Sequence, residues 1–179
     1  MGHLLTAATI HLSLLSYLLA TVCWVTFRRG ASYRGLWTAG CIFLIAHAIC
    51  AFHFHLGWSH FEAVSRTAEQ TDEMLGFLFG EGIWFSYLLL VLWTIDVVRI
   101  WRQPSSDIEA APVDSLTIYP SWYSRAVHAY AFFILFNGTV VFESGLVRWG
   151  GIVGTIWLAR MAWRFRKKSG VTEATELAG

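Results

Sequence analysis

Long apolar runs separated by short polar stretches dominate the pattern along the chain. Residues 4–27, 36–58 and 80–101 each reach the roughly 20 apolar residues that a helix needs to cross the hydrocarbon core of a bilayer. Residues 123–142 form a fourth run. Glu143, Ser144, Gly145 and Arg148 interrupt the pattern before a fifth run at 146–165. Together these last two runs cover roughly 40 residues, twice the requirement for one span, so two helices joined by a tight turn fit better than one. The pattern therefore predicts an all-α integral membrane protein, a bundle of five transmembrane helices within a single domain over residues 1–168. Arg148 and Arg160 both lie in the fifth run and must snorkel to opposite faces; a re-entrant element there would leave four spans.

Between the runs the polar segments have different characters. Glu62, Arg66, Glu69 and Glu73 recur at helical spacing and make one stripe of a helix over about 60–75, amphipathic and suited to a membrane interface. All three prolines fall within 102–122 together with Ser105, Ser106, Asp107 and Asp114, which marks a polar loop. Residues 169–179 read as a short disordered tail.

Charge orients the spans. No basic residue precedes the first run, whereas Arg28, Arg29 and Arg34 follow it, the reverse of a secretory signal peptide. With the N-terminus outside and the C-terminus cytoplasmic, 11 of the 13 basic residues fall on the inner side, leaving Arg66 and Arg148 outside. This is the arrangement expected in a bacterial-type plasma membrane.

Composition agrees with the hydropathy pattern: 56% of residues are hydrophobic and 14% charged, against about 25% charged in soluble domains. The net charge of +1 and the absence of a basic stripe argue against a nucleic-acid partner. Cys23, Cys41 and Cys50 lie inside apolar runs with no CxxC or CxxCH spacing, so they read as small core residues. Trp37, Trp58, Trp84, Trp101, Trp122 and Trp149 fall near expected span ends, as an aromatic belt does. Gly150, Gly151 and Gly154, with Gly145, offer a small-residue face for helix packing, within the chain, in a homo-oligomer or against a membrane partner subunit.

Chemistry concentrates in the histidines. His47, His53, His55 and His60 occur within fourteen residues, and His53 and His60 are two helical turns apart. His11 lies about 10 Å below the start of the first span and His53 about 8 Å below the end of the second, a matching depth. Neutral imidazole is the commonest protein metal ligand, so His11, His47, His53, His55 and His60 are candidate ligands for copper, iron or zinc. His11 and His53 are the candidate axial pair if the group is haem b. Glu69, Glu73 and Glu81 are candidate proton carriers or hydrogen-bond partners of the imidazoles. Alternatively the histidines bond to neighbouring helices and hold the bundle together, in a protein that handles metal, transports or assembles a complex.

Three further polar positions lie inside runs. Asp96 is close in depth to Arg99 and Arg125, which suggests an ion pair or snorkelling. His128 lies about 8 Å from the inner end of the fourth span. Asn137 belongs to an NGT triplet placed within the membrane, where an interhelical hydrogen bond is expected and glycosylation is not. No HExxH or comparable spacing names a hydrolase. The expected function is accordingly redox or metal-dependent chemistry at a histidine-rich site near the outer leaflet.

Overall fold

A computed structural model describes residues 1–26, 31–102 and 122–137, and all regular structure among them is helical. Helices α1 (Gly2–Thr26) and α2 (Ala31–Phe54) are followed by α3 (His60–Leu75), a single 3-10 turn at Gly80–Gly82, α4 (Ile83–Arg102) and α5 (Trp122–Phe136). Three stretches, Gly2–Trp24, Ser32–Phe54 and Gly80–Arg102, are long and apolar enough to cross a membrane. Each has 23 residues, or about 35 Å of helix against a hydrocarbon core of about 30 Å. The expected span at 146–165, its glycine face, the loop interior at 103–121 and the tail at 169–179 lie outside the described residues.

Neighbouring helices run antiparallel. Between α1 and α2, Thr6 meets His47 and Ser13 meets Gly40, so contacts advance along one helix as they recede along the other. Between α4 and α5, the Phe85 carbonyl meets Tyr130 while Asp96 meets Ser124, with the same reversal. Gly40 permits the close approach of α2 to both neighbours. Its carbonyl accepts from Ser13 Oγ at 2.8 Å, and a Cβ at this position would stand 2.9 Å from the Trp93 ring.

The distribution of polarity is inverted relative to a soluble protein. On α4, Trp84, Phe85, Leu88, Val91, Ile95 and Val98 are exposed, while the opposite face buries Asp96 with Leu89, Trp93 and Ile100. On α1, Leu12, Leu15 and Leu19 are exposed, while Ser13, Ser16 and Tyr17 are buried. In water such apolar stripes would drive association; in lipid they are already solvated, and buried hydroxyls serve as interhelical hydrogen bonds.

The second span differs from its apolar run at both ends. Helix α2 begins at Ala31 and stops at Phe54, because Gly57 and Trp58 take left-handed φ values of 54° and 61°. A positive φ at Trp58 costs energy for a side chain with a Cβ. The turn is held by Trp58 N–H to Phe52 O at 3.1 Å and Ser59 N–H to Leu56 O at 2.9 Å. Ser59 then caps α3, its hydroxyl accepting from the Glu62 amide, and Gly76 closes that helix at a φ of 77°. Glu62 and Arg66 pair at 2.8 Å along the exposed stripe of α3. Gly80 lets the 3-10 turn pass against α3, since a Cβ there would lie 2.6 Å from the Val64 carbonyl oxygen.

Candidate functional site

One residue of α1 holds two histidines of the α2 end. The Thr6 hydroxyl donates to Gly2 O at 2.9 Å, so its oxygen is left to accept from His55 Nε2 at 3.2 Å. The Thr6 carbonyl accepts from His47 Nδ1 at 2.9 Å. A carbonyl cannot donate, so His47 carries its proton on Nδ1 and, as a neutral ring, keeps a lone pair on Nε2. His55 meets the same residue through its other ring nitrogen, Nε2. His3 packs on His55 with ring centroids 4.4 Å apart. Neither Thr6 nor His3 is marked by the spacing of the α2 histidines. Thr6 and His47 become neighbours only because α1 and α2 pair antiparallel.

Beside this arrangement lies a cleft of about 370 Å3 with His11, His47, Gln70, Ser86 and Tyr87 among its lining residues. The remaining walls are apolar and come from α1, α2, α4, α5 and Leu56 in the turn after α2. This volume is in the range of small-ligand sites, and a mostly apolar lining with a few convergent polar groups is typical of them. The histidine that shares the cleft with His11 is thus His47, one turn and a half before His53.

The other sequence candidates lie elsewhere. His53 is exposed in the last turn of α2, against the rings of Phe54 and Trp58. His60 turns toward α4: Nδ1 is 3.1 Å from the Tyr87 hydroxyl, and the ring meets Trp84 edge-on. The reversal at Gly57 and Trp58 therefore directs His60 to Tyr87, itself on the cleft wall. Glu69, Glu73 and Glu81 are exposed, and none of them lines the cleft. Among the described residues no group of three or more His, Cys, Asp or Glu side chains is arranged to hold a metal ion.

A second polar cluster is buried toward the opposite ends of the same helices. Asp96, 0% exposed, accepts from Trp37 Nε1 at 3.1 Å and from Ser124 Oγ at 2.7 Å. Its carboxylate does not snorkel: it joins α2, α4 and α5 from within. Trp37 is likewise 0% exposed and not part of an interfacial belt, because α2 starts at Ala31 and places it in the second turn, facing Asp96. His128 is buried beside it, with Nε2 2.8 Å from the Tyr33 hydroxyl and its ring stacked on Trp24 at 4.3 Å. Tyr17 donates to the His128 carbonyl at 3.3 Å, which ties α1 to α5. Arg99, a suggested partner of Asp96, has its guanidinium 4.6 Å from the centre of the Tyr123 ring.

No family of known proteins, no curated protein and no solved structure matches this chain.

Proposed function

We propose that the chain is a five-span membrane protein, N-terminus outside and C-terminus cytoplasmic, that binds copper, iron, zinc or haem b iron through His11 and His47. The membrane in this proposal is a bacterial-type plasma membrane, and the site faces its outer leaflet. The observation that carries the reading is the shared cleft, in which the Thr6 carbonyl fixes the His47 tautomer and leaves Nε2 as a ligand. Metal-bound histidines characteristically have their second nitrogen held by a carbonyl or carboxylate in this way. His11 and His47 would be the two imidazoles holding a haem iron, and for a bare copper, iron or zinc ion they would supply half of a four-ligand shell.

A specific observation also supports a second reading, a non-catalytic subunit for metal handling, transport or complex assembly. His47, His55 and His60 each already hydrogen-bond to another element, as bundle-stabilising residues do. Purification in mild detergent, with elemental analysis and an optical spectrum, separates the two. The first reading expects near-stoichiometric copper, iron or zinc, with a Soret band if haem is present, and its loss in the His11→Ala, His47→Ala double variant. No metal in wild type after loading, with variants that only lose stability, supports the second.

A further inference from the structure

Next to the histidine cleft, on the far side of Gln70, Ile83, Ser86 and Ile134, lies a second cleft of about 510 Å3. Those four residues line both, so the two clefts adjoin. The second is bounded by Phe77, Phe79, Phe85 and Phe133, and among the described residues its lining contains no Asp, Glu, Lys, Arg or His. Its polar groups are Thr67, Gln70, Thr71, Ser86 and Asn137. The two threonine hydroxyls are engaged, Thr67 with Ala63 O at 2.8 Å and Thr71 with the carbonyls of Thr67 and Phe79. By contrast, the side chains of Gln70, Ser86 and Asn137 hydrogen-bond to no other described residue. Two primary amides and a hydroxyl thus stand on one largely apolar cleft, Gln70 and Ser86 exposed and Asn137 half-buried, with their hydrogen bonds available to a ligand.

We infer that this cleft binds a neutral lipophilic ring compound bearing carbonyl or hydroxyl oxygens, of the quinone–quinol class. The absence of charge in the lining disfavours phosphate and carboxylate heads, whose desolvation needs a cationic partner. Amides donate and accept, so the same pair bonds a quinone carbonyl or a quinol hydroxyl. The phenylalanine walls suit a flat ring, through offset or edge-on contacts. Adjacency to the cleft of His11 and His47 would set such a molecule beside the proposed metal or haem site. The inference itself does not depend on a metal, because none of the three groups assigned to the head is a histidine.

The test uses the full chain in detergent and a ubiquinone analogue with a decyl tail, quantified by its co-elution with the protein. A glyceride of equal chain length is the control. Saturable binding near one quinone per chain is expected, retained after chelator treatment and in Val91→Ala, and weakened roughly tenfold by Gln70→Leu or Asn137→Leu. Where an amide variant fails to fold, Ser86→Ala removes a single oxygen and is expected to weaken binding about threefold. Equal quinone retention by wild type and the folded variants overturns the inference, as does equal retention of the glyceride or no saturable binding at all. Loss of binding on chelation, with the amide variants unaffected, would assign the quinone to the metal site instead and also overturn it.

Discussion

Replacement of Asp96 tests how the buried polar cluster holds α2, α4 and α5 together. Its two carboxylate oxygens receive Trp37 Nε1 at 3.1 Å and Ser124 Oγ at 2.7 Å, all three residues being buried. Asp96→Asn keeps the shape and one acceptor. Trp37 can then bond the amide oxygen while the amide nitrogen donates to a reoriented Ser124 hydroxyl, so a loss of about 1 kcal/mol is expected. Asp96→Leu removes both acceptors. Ser124 can redirect its hydroxyl to a helix carbonyl, but the Trp37 N–H is held by a ring with no exposure and is stranded. A stranded buried donor costs about 1–3 kcal/mol, and the lost Ser124 bond adds about 0.6 kcal/mol on the membrane scale. The expected total is about 1.5–3.5 kcal/mol. Unfolding in mixed micelles, followed by circular dichroism, measures both variants. A cycle with Trp37→Phe sharpens the test: removing the indole N–H should cost about 1 kcal/mol less in the Asp96→Leu background than in wild type. Asp96→Leu as stable as wild type, or strictly additive costs, would refute the reasoning.

Two further substitutions probe the opposite end. Thr6→Val deletes the hydroxyl that accepts from His55 but leaves the carbonyl that holds His47. Metal content is therefore expected to persist, while stability falls by about 0.5–1.5 kcal/mol on the same unfolding assay; loss of the metal would place His55 among its ligands. Gly80→Ala introduces a Cβ 2.6 Å from the Val64 carbonyl oxygen, a backbone atom that cannot rotate away. The 3-10 turn should separate from α3 at a cost of about 1–3 kcal/mol, read as faster proteolysis between residues 76 and 82.

The apolar runs were legible in the sequence because a helix that crosses lipid must be predominantly apolar over about 20 residues, and three of the described helices are long and apolar enough to do so. Their ends were less so. Trp58 continues an apolar run, yet the left-handed pair Gly57–Trp58 ends the helix four residues earlier, a backbone choice that hydropathy does not encode. The histidine cluster marked a region of the chain, but matching by depth paired His11 with His53. Rotation about the helix axis puts His47 on the cleft instead and leaves His53 exposed. Asp96 shows the same dependence on rotation and on neighbouring helices. Its nearest charges in sequence are arginines, while its observed donors, Trp37 and Ser124, come from two other helices. Thr6 carried no signal of its own, since a threonine near a helix start has many uses; only the antiparallel pairing of α1 with α2 gives it two histidines to hold.

The central claim is that His11 and His47 ligate a metal together. X-ray absorption at the edge of whichever metal the purified protein carries reads the ligand shell directly. The account predicts imidazole scattering fitted by two rings, reduced to one in His47→Gln. A shell of oxygen or sulfur without imidazole, or a two-imidazole shell unchanged in that variant, would contradict it.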